Sequence, residues 1–457
     1  MGRWQVAQGG QRIGMSFSSS QNRMSPSFQQ LALFADDPQT EPDLKAARSG
    51  TFADNMALPI HRWFRYSAGF AAQWVEQVLS DWSIEPGHVV LDPFAGSGTV
   101  SVVCDTLGIA SVGAEAHAVV ARIGKAKLLW MTPPDRVASF ATAVLRHAQN
   151  RKADVSPYPS LIERSFDTDA LAALDNLKSS WLSLRDSSPE SELVWLALTS
   201  ILRPTAKAGT AQWQYILPSK TKKKVIQPSF AFQQQIEVIK ADIRWMQARA
   251  RESYAEIIAG DARKLAEFIP CKVDAVITSP PYANNYDYAD ALRFEMTFWG
   301  EVNGWGDIHN AVRRHLMVSS SQHSSRERLR ADDILESEVV QSIRDELQQV
   351  VQRLASVRES HGGKKHYHTM IAAYCRDIGL VLRQLRCVCK PGVRMCWVIG
   401  DSAPYGVYCP IEKWIGTLAI SAGFRRYSFD KLRDRNIKWK NRKHRVPLKE
   451  GLLWIEG

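Results

Sequence analysis

The run Thr278-Ser279-Pro280-Pro281-Tyr282 gathers an unusual set of groups at one point of the chain. The Ser279 hydroxyl and the Pro280 carbonyl are hydrogen-bond acceptors, and two consecutive prolines fix φ and remove N–H donors. The segment therefore reads as a stiff, acceptor-rich ledge. Tyr282 adds an aromatic face on which a planar ring can stack. Such a ledge suits an amine whose lone pair is delocalised into an aromatic ring. That nitrogen is a poor nucleophile unless its protons are accepted by hydrogen bonds and it is aimed at its partner. Ser-Pro-Pro-Tyr in isolation is also an ordinary polyproline turn, and its place directly behind the apolar run 274–279 is what favours the chemical reading.

A second constellation lies upstream. Asp92-Pro93-Phe94-Ala95-Gly96-Ser97-Gly98-Thr99 follows the short apolar run 88–92. Glycines there let a ligand approach the backbone without a Cβ in the way, and a helix starting beyond them offers free N–H groups to a carboxylate. Glu115 lies 23 residues after Asp92, at the end of the next apolar run. An acidic side chain at that point can accept both hydrogen bonds of a ribose diol.

These residues need a sheet to hold them. Residues 88–92 and 110–115 read as buried strands, joined by the tight glycine loop and a helix stopped by Gly108, which is one βαβ unit. Ahead of it, residues 62–82 place Phe70, Trp74, Val78 and Leu79 at helical spacing and predict one amphipathic helix, ended by Pro86-Gly87. The stretch from about 130 to 250 is helical in period, with a basic, aromatic break at 210–224. Strand and helix alternate again over 254–268, 274–279, 331–360, 367–387 and 394–402, and GLLWIEG supplies a last strand. The expected fold is α/β, a doubly wound, mostly parallel sheet with a large, mainly helical insertion. The expected division is a mobile arm over 1–55, a first part of the sheet domain over 56–130, the insertion over 131–252 and the second part over 253–457.

DPFAGSGT with an acidic residue closing the next strand, and TSPPY behind a later strand, resemble the motifs of the amino-methyltransferases, which methylate N4 of cytosine or N6 of adenine in DNA. The resemblance covers roughly 60–130 and 254–402. It implies a seven-stranded Rossmann-like methyltransferase sheet with S-adenosylmethionine as cofactor. It also implies that the loop Asp92, Pro93, Phe94, Ala95, Gly96, Ser97, Gly98 and Thr99 holds the methionine end, Glu115 the ribose and Asp261 the adenine amine. Phe70 would touch the methionine moiety, while Ser279, Pro280, Pro281 and Tyr282 form the catalytic tetrapeptide. Asp401, in VIGDS, resembles a later and less specific motif. Family members acting on cytosine mostly carry Ser first in the tetrapeptide, so Ser279 points to cytosine N4, with adenine N6 as runner-up. The implied partners are double-stranded DNA with the target base flipped out and a cognate restriction or defence nuclease.

Residues 283–301 continue the catalytic loop and either line the base pocket or pack as core; for Phe294, Phe298 and Trp299 core packing is the expectation. Three other functions compete. An RNA base methyltransferase is less favoured, since such enzymes usually carry Asn or Asp before Pro-Pro and an added RNA-binding module. A catalytically silent cofactor-binding subunit is opposed by Ser279, Tyr282 and the glycine loop. A protein side-chain amide is a smaller third possibility.

Charge supports a polyanionic partner: the net charge is +11, and residues 421–457 hold eleven Lys/Arg against four Asp/Glu. Two segments interleave cations with aromatics. One contains Lys207, Trp213, Tyr215, Lys220, Lys222, Lys223 and Lys224; the other contains Arg425, Arg433, Arg435, Lys438, Trp439, Lys440, Arg442 and Arg445. The insertion is the expected target-recognition region, with 303–330 as its rival. Seven scattered cysteines do not form a disulfide framework. Pro270-Cys271 precedes rather than follows the catalytic strand, so Cys271 is expected to pack at a strand start. His366, His368, Cys387 and Cys389 fit no usual zinc spacing, and no metal is expected. No apolar run approaches the roughly 18 residues of a membrane span. The expected location is cytoplasmic.

Overall fold

The structure, a computed structural model, describes residues 52–66, 69–211, 215–249, 253–284, 286–326, 328–362, 365–435 and 446–457. Seven strands form one sheet: β1 (Val89–Asp92), β2 (Ala110–Glu115), β5 (Ala255–Ala259), β6 (Val273–Thr278), β7 (Cys389–Gly400), β8 (Arg426–Arg435) and β9 (Leu448–Glu456). Their order is β5-β2-β1-β6-β7-β9-β8. All neighbours pair in parallel except β9, which is antiparallel to both β7 and β8. The strand β3 (Ala208–Thr210) pairs with β4 (Ile216–Thr221) in a separate hairpin.

Alternation along the central strands explains why the sheet is covered on both faces. Val90, Ala275, Ile277, Cys396 and Val398 enter one core with helices α1 (Ala72–Asp81) and α2 (Thr99–Leu107). The residues between them, Leu91, Val276, Met395 and Trp397, enter a second core with the later helices. Successive side chains of a strand point to opposite faces, so these short apolar runs are buried twice over.

Helix α3 (Ala118–Lys127) leads into the insertion, whose helices are α4 (Pro134–Gln149), α5 (Thr168–Leu184), α6 (Pro189–Thr205) and α7 (Pro228–Gln247). They share a third core, around Trp195 and Phe232, with residues 286–312 and with Ile60, Trp63 and Tyr66. The insertion therefore packs directly on the segment that follows Ser279-Pro280-Pro281-Tyr282. Glu295, fully buried on α8 (Arg293–Trp299), is paired to Arg203 of α6 at 2.5 Å. Phe294, Phe298 and Trp299 pack in this core as expected, with Phe294 stacked on Phe166.

The expected single helix over 62–82 is corrected. Only Ala72–Asp81 is α-helical, preceded by a short 3-10 turn at His61–Trp63. Two buried side chains impose the break. Asp242 of α7 accepts the Ile60 N–H at 3.0 Å, the Trp63 indole N–H at 2.9 Å and the Arg62 guanidinium at 2.5 Å. Asn55 accepts the Ala72 N–H at 2.8 Å and donates to the Phe70 carbonyl at 2.9 Å, which starts the helix from outside it. The helix also ends before Pro86-Gly87, at Asp81, and Ser83 takes a positive φ of 52°. Of the proposed arm, residues 1–51 lie outside the described residues, and Phe52–Ala57 forms a 3-10 turn that carries Asn55.

The basic C-terminal segment contains a strand that its charge concealed. In β8, Tyr427 and Phe429 face the core while Arg426 pairs with Glu456 and Arg433 with Glu450. Among the described residues no helix is long and apolar enough to cross a membrane.

Candidate active site

The strand order reverses between β1 and β6, and ligands of open α/β sheets bind in the crevice at the carboxyl ends of such a pair. The glycine loop leaves β1 and the Ser-Pro-Pro-Tyr loop leaves β6 at that place. Their strands are joined by a buried hydrogen bond, Thr278 Oγ1 donating to Asp92 Oδ1 at 2.5 Å. Asp92 Oδ1 also accepts the Phe94 N–H at 3.0 Å. Burial pushes the Asp92 carboxyl up to about 7, against the lowering effect of these two donors. Asp92 is thus a pillar beneath the loop.

Gly96 (φ 53°) and Gly98 (φ 85°) both take left-handed backbone, which side chains disfavour. At Gly98 a Cβ would also lie 2.9 Å from the Ile257 side chain, so the loop could not pass so close to β5. The Gly96 N–H donates to Glu115 at 2.9 Å, and the second Glu115 oxygen accepts the His117 N–H at 2.7 Å. Burial pushes the Glu115 carboxyl up to about 7, with those amides opposing it.

Between the loops lies a cleft. Of the residues expected from sequence, Pro93, Phe94, Gly96, Glu115, Asp261, Ser279 and Pro281 line it. Ala95, Ser97 and Thr99 are buried in the loop and the first turn of α2. Pro280 is also buried. Phe70 is corrected: it packs edge-on against Trp74 at 5.2 Å in the core under α1, and Tyr66 reaches the cleft wall instead. The capture of residues 60–63 by Asp242 sets this register of the entering chain. Asp261 is less open than its motif implied, since the Arg263 guanidinium grips it at 2.7 Å and bridges to buried Asp377 at 2.9 Å.

Ser279 Oγ donates to the Val398 carbonyl on β7 at 3.1 Å. The Tyr282 hydroxyl is a second neighbour of this oxygen, which can also accept an N–H. The Tyr282 N–H donates to the Tyr288 hydroxyl at 3.3 Å, and one face of the Tyr282 ring is covered by Arg435, 5.1 Å away. Arg435 is held in turn by the Asp401 carbonyl at 2.8 Å. Asp401 follows β7 directly; its carboxylate accepts the Tyr408 hydroxyl at 2.9 Å, and burial beside Glu412 raises its pKa.

Sequence reasoning missed Tyr66, His117, Tyr288 and Met317, all of which line the cleft. Tyr66 was hidden by the helix reading, and His117 sits only two residues beyond Glu115 with no motif to mark it. Tyr288 arrives from a 3-10 turn packed on the insertion core, and Met317 from a loop packed in the second core.

The residues fit the nucleoside part of a cofactor. Acidic Glu115 and Asp261 stand at adjacent strand ends, Ala116, Ala262, Leu316 and Met317 form an apolar slot, and the imidazole nitrogens of buried His117 have no protein partner. Among the described residues no group of three or more His, Cys, Asp or Glu is arranged to hold a metal ion. Cys271 is corrected from packed to exposed, just before β6 and at the end of that strand away from the cleft.

In the two basic segments, Lys207 pairs with Asp167 and Lys222 donates to the Arg203 carbonyl. Tyr215 stands 5.6 Å from Tyr286, and Lys220, Lys223 and Lys224 are exposed. Trp213, Lys438, Trp439, Lys440, Arg442 and Arg445 lie outside the described residues.

A doubly wound sheet with a glycine loop, a strand-end acid and a facing acceptor ledge defines a Rossmann-like methyltransferase. Residues 36–126 match the N6/N4 family described as DNA methylase. The Type II methyltransferase M.BsoBI of Geobacillus stearothermophilus is 24% identical over 431 residues, which cover 84% of this chain and 82% of that protein. The Type II methyltransferase M.AvaI of Nostoc sp. is 24% identical over 409 residues, covering 82% and 81%. These matches support the DNA amino-methyltransferase family for this chain, with S-adenosylmethionine as the methyl donor. A solved rRNA methyltransferase, aviRa from Streptomyces viridochromogenes, aligns over 85% of both chains at 9% identity with a TM-score of 0.29, too weak a likeness to carry an argument.

Proposed function

We propose that this methyltransferase modifies N4 of cytosine in duplex DNA, acting on a base flipped out of the helix. The observation that carries the amine reading is Ser279, which lines the cleft with its hydroxyl bonded to the Val398 carbonyl and can accept an amine N–H; the choice of cytosine rests on Ser standing first in the tetrapeptide. The Pro280 carbonyl is the second acceptor, and accepting both amine hydrogens returns electron density to the nitrogen. Tyr282, backed by the Arg435 guanidinium, supplies the stacking face. S-adenosylmethionine supplies a methyl group on a sulfonium sulfur. Glu115 is placed to accept the ribose hydroxyls, Asp261 the adenine amine, and the loop from Asp92 to Thr99 faces the methionine end.

Adenine N6 is the second reading, because a hydroxyl acceptor serves either amine. The insertion over 131–252 is the target-recognition region in this account, with the exposed lysines of the β3–β4 hairpin on DNA phosphates; that hairpin touches Tyr286, close behind the catalytic loop. A restriction nuclease of the same specificity is the expected partner. Genomic DNA from cells expressing the chain, digested to nucleosides, tests the base assignment: N4-methylcytosine is expected, and N6-methyladenine in its place overturns it.

A further inference from the structure

The loop Ser279–Tyr282 has few backbone handles. Pro280 and Pro281 carry no N–H, so the first backbone donor after Ser279 is the Tyr282 N–H. It is answered by a side chain from further along the chain, the Tyr288 hydroxyl, at 3.3 Å. A second anchor follows two residues on, where the Asn284 N–H donates to the Ser319 carbonyl at 2.8 Å and the backbone takes a positive φ of 58°. A loop without donors of its own is placed by the groups that hold it.

Tyr288 is itself held from the insertion. It opens the 3-10 turn Tyr288–Asp290, and its ring meets that of Tyr286 edge-on at 5.1 Å. Tyr286 is buried and stands 5.6 Å from Tyr215, which directly precedes β4 of the hairpin. The Tyr215 hydroxyl accepts the backbone N–H of Asp287, the residue between the two tyrosines. The Asp287 carboxylate is fixed in turn by buried Arg313 at 2.7 Å. The hairpin thus grips residues 286 and 287 directly, and Tyr288 carries that grip to the tetrapeptide.

We infer that Tyr288 is a positioning residue for the tetrapeptide and that Tyr215 sets it from the hairpin. The element that meets DNA phosphates in the proposed function then also holds Ser279-Pro280-Pro281-Tyr282 at its working distance. The inference rests on that function's reading of Ser279 and of the hairpin. One hydroxyl acts at each end, Tyr288 on the Tyr282 N–H and Tyr215 on the Asp287 N–H. Tyr→Phe at either position removes the oxygen and keeps the ring. A small misplacement of a reacting group slows the chemical step more than it weakens binding.

Single-turnover transfer of labelled methyl from S-adenosylmethionine to genomic DNA of a methylation-deficient host, scaled to the sites that bind S-adenosylhomocysteine, tests it. Wild type, Tyr288→Phe, Tyr215→Phe, the double variant and Ser279→Ala are compared. At saturating DNA the rate constant of Tyr288→Phe is expected to fall about tenfold, the equivalent of one hydrogen bond. Its half-saturation by DNA and its affinity for S-adenosylhomocysteine stay within about twofold of wild type. Tyr215→Phe falls in the same way, and the double variant falls no further than Tyr288→Phe, because Tyr215 acts through Tyr288. A double variant at the product of the two single losses overturns the link to the hairpin. Tyr288→Phe at the wild-type rate, or with its loss in S-adenosylhomocysteine affinity instead, overturns the proposal, while an inactive Ser279→Ala leaves the proposed function standing. If wild type transfers no label to DNA, or Ser279→Ala is fully active, the proposed function itself fails. Should Tyr288→Phe not fold, Tyr215→Phe at the wild-type rate overturns the proposal.

Discussion

Thr278 and Asp92 close a single 2.5 Å hydrogen bond between the last residue of β6 and the last residue of β1. It spans 186 residues of sequence and ties together the bases of the glycine loop and the Ser-Pro-Pro-Tyr loop, which in the proposed function meet across a methyl group. Thr278→Val removes one of the two hydrogen bonds that buried Asp92 Oδ1 accepts and is expected to cost about 1–3 kcal/mol in chemical denaturation. A double-mutant cycle with Asp92→Asn should show coupling of about 1 kcal/mol, and additive costs would remove the pair from this role.

The raised carboxyl of Glu115 makes cofactor binding sensitive to pH. In the free protein the group takes a proton below about 7. Ribose hydroxyls donate to the ionised form, so binding favours loss of that proton. Affinity for S-adenosylhomocysteine should therefore rise about tenfold between pH 6 and pH 8, with proton release near neutrality. Calorimetry in buffers of different ionisation enthalpy measures both, and Glu115→Gln should flatten the profile.

The same shifts act on stability with the opposite sense to an ordinary paired carboxylate. Asp92 and Glu115 bind protons more tightly folded than unfolded, so the cofactor-free protein binds more protons than its unfolded chain between about pH 4 and 7. Their contribution is present below about pH 4 and is lost as pH rises through about 7. Urea denaturation of wild type and Asp92→Asn at pH 5.5 and pH 8 checks this: the variant should lose less stability between the two.

Much of the sheet could be read from the chain because its signals are local. Val89–Asp92, the glycine loop and Ala110–Glu115 are short apolar runs and turns whose period is set by neighbours in sequence. What was missed depends on distant partners. The helix expected from Arg62 is broken by Asp242, 180 residues away, and Tyr66 rather than Phe70 reaches the cleft as a result. β8 was hidden because the segment with Arg425, Arg433 and Arg435 reads as a DNA-binding run until Glu450 is seen opposite Arg433.

In the proposed function, DNA phosphates then fall to the hairpin of the insertion. Lys220, Lys223 and Lys224 are exposed, and Lys220→Glu/Lys223→Glu/Lys224→Glu should weaken duplex binding and reduce the slope of log affinity against log salt by up to about 0.9 for each phosphate no longer neutralised. Fluorescence anisotropy at several salt concentrations reads the slope. An unchanged slope places the phosphates elsewhere.

The proposed function makes Ser279 the acceptor ledge of catalysis, and transfer of labelled methyl from S-adenosylmethionine to duplex DNA by wild type and Ser279→Ala tests that role most directly. Loss of one oriented transition-state hydrogen bond of this kind typically costs about 100-fold or more. Incorporation by Ser279→Ala is expected to fall by that factor, while its affinity for S-adenosylhomocysteine stays within about twofold of wild type, because Ser279 meets the base and not the cofactor. Full methylation by Ser279→Ala, or wild-type label that never enters DNA, would contradict it.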